Sequence, residues 1–456
     1  MDALLESAYP FDSNVGAAMS MKTPSSPVMS RRSFGIAAAL GLSTVGLGLA
    51  GCGGGSSSGG PVEIDFVWWG DANRAKATQA AIETFQRKNP GIVVKTDYQD
   101  SGPYQDKLAT RVAARDAPDL MAMPNRSLRE YAARGALADL RELSDTLDLS
   151  AVTPNVAKLG TIGDGVFGVA AGLNTIGFVV RRSALERAGL AAPDGNTWSW
   201  EDLDAMANAI SAATNREIYG TAYSLWTETG PIVFSRQRGE DFYTADGKLG
   251  ASAATFETWF QRGNALRASG GYPPPGFIED VGSSAEQSYV AKGKVASQII
   301  ATNNLNAYQK ASDNDLLLLR IPGETSGKRR GMSVDCSMLW SISAQSKHPK
   351  EAAALLNFLV NDPDAYAEML TTRGVPPSPK VTDAIRDKLP EHDRAATEFL
   401  EALQQEQLAP TYVYPKGAAK FAKLLESTAA EVEFGRQTPA QAAQTLVEAA
   451  ASDLSA

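Results

Sequence analysis

From residue 62 the chain alternates between two hydrophobic periods. Val62, Ile64, Phe66 and Trp68 are apolar at every second position, with Glu63, Asp65 and Val67 between them, which predicts a strand. Ala75, Thr78, Ala81, Ile82 and Phe85 then recur at helical spacing, predicting a helix over 72–88 that Asn89-Pro90-Gly91 stops. Ile92-Val93-Val94 begins a second strand, so the opening reads as a strand–helix–strand unit of the length a parallel pair requires. The alternation continues with a helix over 104–114, a buried strand over 119–123 and a short helix that Ser127 can cap and Gly135 ends. Residues 167–180 read as extended and apolar, interrupted by Gly172 and Asn174. Ser199, with Glu201 and Asp202 in the first turn, opens a helix whose dipole favours those acids. Residues 297–301 and 337–342 predict strands, and Pro349 opens a helix with Ala352, Leu355, Leu356 and Leu359 on one face. There is no fixed-period repeat. The class is α/β.

The first sixty residues follow different rules. Ser30-Arg31-Arg32-Ser33-Phe34 precedes an uncharged run, Ile36 to Ala50, closed by Leu49-Ala50-Gly51-Cys52. The order matches a twin-arginine export signal ending in a lipoprotein processing box. The run is about fifteen residues, short of the roughly twenty a spanning helix needs. Asp2, Glu6 and Asp12 suit a signal poorly, so the start of translation is expected at Met19, Met21 or Met29. Gly46-Leu47-Gly48-Leu49-Ala50-Gly51 fits the dinucleotide pattern G-x-G-x-x-G, but lies in a segment expected to be removed and not between a strand and a helix. Gly53 to Gly60, only Gly and Ser, make a flexible linker of roughly 15–18 Å. The exported domain is thus expected to hang from lipid on Cys52, at the outer face of the cytoplasmic membrane.

Composition narrows the function. The net charge is −9 and no segment gathers basic residues, which argues against a nucleic-acid partner. The chain has two cysteines, and with Cys52 lipidated Cys336 has no intramolecular partner; it reads as a small buried hydrophobe. His348 and His392 are the only histidines, both in charged stretches, and no hydrolase or phosphate-loop motif is present. No cofactor, metal or catalytic residue is expected.

Several segments together, in order, resemble the extracellular solute-binding proteins of sugar ABC importers. They are Val62 to Tyr98 with Trp-Trp-Gly-Asp, Ala117-Pro118-Asp119-Leu120-Met121, Gly135 to Leu140, Gly165 to Val169, Thr197-Trp198-Ser199-Trp200, Ile342 to Ala353, and Arg373-Gly374-Val375-Pro376. The resemblance implies two α/β lobes of the type II periplasmic-binding fold, joined by crossing segments near 172–180, 336–342 and 372–378, with the ligand in the cleft. It divides the chain into a signal region 1–51, lipidated cysteine and linker 52–61, N-lobe 62–175, C-lobe 176–338, N-lobe return 339–374 and C-lobe helical completion 375–456. It further implies a monomer that closes on a carbohydrate and presents it to ABC permease subunits.

Sugar recognition stacks aromatic faces on the ring while carboxylates and amides take the hydroxyls. Trp69, off the inward face that holds Trp68, and Asp71 are the first candidates; Asp71 matches a sugar-contacting acid of maltose-binding proteins but also suits a helix cap. Asn125 and Arg126 follow a strand at its carboxyl end, where α/β sheets place ligands. Asn174 stands in the first crossing where maltose-binding proteins carry a glutamate, and alternatively satisfies a turn. Trp226 matches a C-lobe aromatic. Asn303 and Asn304 occupy the place of an expected Gly-x-Trp, a stacking platform that Trp340, Tyr412 or Tyr414 would replace. Trp340 fits core and cleft equally, and Arg373 fits the cleft or a solvated turn. Arg126 and Arg373 are the cleft cations this reading offers, too few for an acidic ligand. The remaining alternatives are a secreted glycosidase or lyase, which needs two carboxylates at about 5–9.5 Å, and a binder of a non-sugar polar solute.

Overall fold

The computed structural model describes residues 60–222, 227–277, 285–336 and 338–455. The signal region, Cys52, nearly all of the linker, and Trp226 lie outside the described residues. Strands β1 (Val62–Trp69), β2 (Ile92–Gln99), β3 (Leu120–Pro124), β4 (Val169–Ala170), β5 (Ile176–Arg181), β6 (Ser297–Ala301), β7 (Leu316–Leu319) and β8 (Met338–Ile342) form two sheets. In the first the order is β2-β1-β3-β8-β4, with β1 parallel to β2 and β3, and β8 antiparallel to β3 and β4. In the second β5 lies between β6 and β7, antiparallel to both.

The parallel pair exists because the helix Ala72–Lys88 carries the chain back over the sheet. Its buried face is Ala75, Ala77, Thr78, Ala81, Ile82 and Phe85. Ile64, Phe66 and Trp68 of β1 are at most 1% exposed, as their alternation predicts. The helix Trp200–Ala213 begins with a reciprocal capping box between Ser199 and Asp202. Ser127, by contrast, makes no cap. Its backbone is already helical, because a 3-10 turn over Asn125–Ser127 runs directly into the helix Leu128–Ala133. The stretch 167–180, read as extended but interrupted by Gly172 and Asn174, forms β4 and β5 on either side of that interruption, where it passes from one sheet to the other.

Each sheet has its own core. Ile64, Phe66, Trp68, Leu120, Leu339, Trp340 and Leu356 fill the first, and Phe178, Trp198, Leu203, Trp259, Phe421 and Leu446 the second. The stretch 375–456 serves both: Val381, Ile385, Leu389 and Leu400 bury in the first core, while Ala418, Phe421, Leu425 and Leu446 bury in the second. The two helices after residue 417 both bury in the second core. Cys336 is 1% exposed, and burial holds its thiol well above the usual range.

Where chain segments pass between the cores they pair with each other. Leu173 and Val375 exchange backbone hydrogen bonds of 2.7 and 2.8 Å, and Asn174 and Asp335 exchange two of 2.9 Å. Glycine makes this approach possible. A Cβ on Gly172 would stand 2.3 Å from the Arg373 carbonyl oxygen, and one on Gly374, whose φ is +114°, 2.4 Å from that of Leu173.

Candidate functional site

The turn after β3 projects Asn125 and Arg126 from the first sheet. Asn125 Nδ2 donates to the Cys336 carbonyl at 2.5 Å, which ties the turn to a crossing strand. Arg126 reaches toward the other lobe. Its Nη2 and Nε donate to Glu228 Oε2 at 2.6 and 3.1 Å. Glu228 immediately precedes the helix Thr229–Gln237, which packs in the second core, and it is 1% exposed. Tyr243 Oη donates to the other Glu228 oxygen at 2.7 Å. The guanidinium lies 5.4 Å from the centre of the Tyr414 ring, and Tyr243 packs edge-on to Tyr414 at 5.6 Å. Burial alone would lower the Arg126 pKa; the Glu228 and Tyr414 neighbours more than offset it, so the cation is held firmly. Burial and the Glu228 charge raise Tyr243 in turn, keeping it a neutral donor.

These groups border a cavity of about 90 Å³ at the crossing strands. Arg126, Asn174, Arg236, Asp335, Tyr412 and Tyr414 line it. Asp335 Oδ1 accepts from the Cys336 amide at 2.7 Å, and burial raises the Asp335 pKa against the pull of that amide and Arg236. Arg236 Nη1 donates to Ser333 Oγ at 2.7 Å. Thr411 and Tyr412 also border a larger hollow of about 1110 Å³ that runs between residues 153–163 and 401–413. Both spaces mix aromatic faces with donors and acceptors, the equipment for a polyhydroxylated solute.

Of the residues the sequence proposes, Arg126, Asn174, Tyr412 and Tyr414 come together here, and Asn125 braces the turn behind them. The others stand elsewhere. Trp69 is half-buried against Tyr104, ring centres 5.3 Å apart. Asp71 caps the first helix through the Arg74 amide at 2.9 Å and is exposed. Asn303 and Asn304 form a 3-10 turn after β6 and do not line the cavity. Trp340 is 1% exposed inside the first core because β8 is covered on both faces. Arg373 is stacked over Trp340 at 5.0 Å, donates to Thr78 Oγ1 at 2.7 Å, and is 6% exposed, so it is neither a solvated turn charge nor a cavity residue. Burial, with the nearby Arg74 charge, lowers its pKa to about 9.

Arg236, Asp335 and Glu228 were not singled out in the sequence. Asp335 was within reach, one residue before the predicted second crossing, but Arg236 sits in a helix with no marking motif. Among the described residues no group of His, Cys, Asp and Glu is placed to hold a metal, and no helix is long and apolar enough to cross a membrane.

Two α/β lobes, joined by paired crossing strands and closing on a polar cavity with aromatic walls, define a binding protein that holds a small solute between its halves. The chain belongs to the bacterial extracellular solute-binding protein family, whose sequence profile matches residues 71–366. It is 26% identical over 353 residues to the diacetylchitobiose binding protein DasA of Streptomyces coelicolor, covering 71% of this chain and 77% of that protein. An uncharacterized lipoprotein of Streptomyces antibioticus is 24% identical over 342 residues, 70% of this chain and 72% of that one. A family 1 extracellular solute-binding protein from Alicyclobacillus acidocaldarius superposes with a TM-score of 0.66 at 26% identity, covering 86% of this chain and 98% of its own.

Proposed function

We propose that this protein captures a sugar or oligosaccharide between its lobes and delivers it to ABC permease subunits while anchored through lipid on Cys52. The observation that carries the reading is the cavity at the crossing strands, where Tyr412 and Tyr414 stand beside Asn174, Arg236 and Asp335. An amide, a guanidinium and a carboxylate supply both donors and acceptors, as sugar hydroxyls demand. The tyrosine rings supply apolar faces for the C–H side of a pyranose. The Streptomyces coelicolor relative, a diacetylchitobiose binding protein, agrees with that chemistry.

A thermal-shift screen of the purified protein against mono-, di- and oligosaccharides tests the reading. A saccharide at a hundred times its dissociation constant stabilises by about 2.7 kcal/mol. The expected result is a selective shift, weakened at least about tenfold in affinity by Tyr412→Ala, with the sugar recovered intact. Recovery of fragments points instead to a glycosidase or lyase, and a flat response across the panel removes carbohydrate from consideration.

A further inference from the structure

Resting on that saccharide reading, we infer that the solute is acidic: an oligosaccharide of uronate units whose carboxylates meet cations along the cleft. The chain as a whole is negative, at −9, yet the cleft is not. The acids lining the large hollow are already committed. Glu401 pairs with Arg386 at 2.7 Å, and Glu406 pairs with Arg320 and Arg330 at 2.5 and 3.1 Å. Glu228, behind the small cavity, is taken by Arg126.

Three cations have no such partner among the described residues. Arg236 donates to Ser333 Oγ and, at 3.3 Å each, to the carbonyls of Gly331 and Pro410. Arg129 donates to the carbonyls of Tyr414 and Val413 at 3.3 and 3.5 Å. Lys158 lines the large hollow with no carboxylate within ion-pair distance. Neutral oxygens satisfy N–H groups but leave the charge standing. Against these three stands the single carboxylate of Asp335, itself hydrogen-bonded to the Cys336 amide.

The two arginines hold the segment 410–414 from opposite lobes, Arg236 from the helix Thr229–Gln237 and Arg129 from the helix Leu128–Ala133. That segment carries Tyr412 and Tyr414, and the two guanidiniums bond its backbone at Pro410, Val413 and Tyr414, so cations and tyrosines share one stretch of the wall. A uronate presents the same pairing, an apolar ring face and a carboxylate at its edge, and a guanidinium takes a carboxylate through two parallel N–H donors. Arg236 borders the small cavity, while Arg129 and Lys158 border the hollow that joins it at Thr411 and Tyr412. Cations divided between adjoining spaces suit one negative charge per sugar unit better than a single phosphate or sulfate, which wants several converging on one point.

Titration calorimetry on the purified protein tests the assignment with a uronate trisaccharide, its methyl ester, a neutral trisaccharide of the same linkage, and a sulfated one. The free acid is expected to bind at least about tenfold tighter than its methyl ester, a difference of about 1.4 kcal/mol. That preference should shrink as salt is raised from about 20 to 300 mM. Arg236→Gln and Lys158→Gln should each reduce the acid-to-ester ratio, and Arg236→Lys should retain part of it, which separates charge from lost packing. Equal binding of acid and ester, or tight binding of the neutral or sulfated sugar alone, overturns the uronate assignment while leaving a saccharide binder. Failure of every sugar, including the broad neutral panel, removes the saccharide reading itself.

Discussion

Arg126 and Glu228 illustrate how one pair of side chains can join two halves of a molecule. Glu228 is almost wholly buried, while the Arg126 side chain is 44% exposed, so solvent screens the pair from one side only. Replacing Glu228 with Gln keeps a hydrogen-bond acceptor for Tyr243 but leaves the guanidinium without its counter-charge. We expect Glu228→Gln to lower stability by about 1–3 kcal/mol, toward the low end because Arg126 can turn to water. Urea unfolding checks it; an unchanged midpoint would show the pair to be energetically idle. Residue chemistry also explains the fate of the other candidates. Asp71 satisfies an orphan amide at a helix start, and Arg373 spends its donors on Thr78 and Met338 inside the first lobe.

At the scale of elements, the crossing strands matter most. Their ladder is short, so its close contacts are concentrated at a few positions. Gly374 combines a left-handed φ with a carbonyl where a Cβ would sit. Gly374→Ala is expected to cost about 1–3 kcal/mol through backbone strain and displacement of Leu173. Chemical denaturation measures the loss, and Gly91→Ala, at a glycine with open space around it, serves as the control with a much smaller effect. Helix termini were the most readable elements. Ser199 and Asp202 make their capping box entirely from local sequence, and Pro349 marks the first turn of its helix.

For the whole molecule, two separate cores joined by narrow crossings imply that the lobes move as bodies. The Arg126–Glu228 pair holds them together across the cleft in this structure. Small-angle scattering should therefore register a larger radius of gyration for Glu228→Gln than for the parent, whose compact value is about 22 Å for a chain of this size. Saturating sugar should bring the variant back toward the parent; a variant with the parent's radius in the absence of sugar would mean that packing, and not this pair, sets closure.

How much was legible follows the range of the forces involved. Strand alternation, helical spacing, caps and the glycine–proline stops are local, and β1, the first helix, β6 and the helix at Pro349 could be read from neighbouring residues alone. The ordered family segments carried the two-lobed plan and the solute-binding class further than periodicity could. Side-chain direction at long range was not legible. By sequence Trp340 fits core and cleft equally and Arg373 fits the cleft or a solvated turn; the sheet order decides, placing β8 between β3 and β4, covered on both faces, so that Trp340 is buried and Arg373 is stacked over it. Arg236 and Glu228 carry no motif; they face Arg126 and Asp335 only because the lobes close on one another. By itself the sequence determined the elements, the α/β class and the export-like leader pattern, since each depends on near neighbours. Only the tertiary structure decided which charges meet across the cleft, because that depends on groups more than a hundred residues apart reaching hydrogen-bond distance.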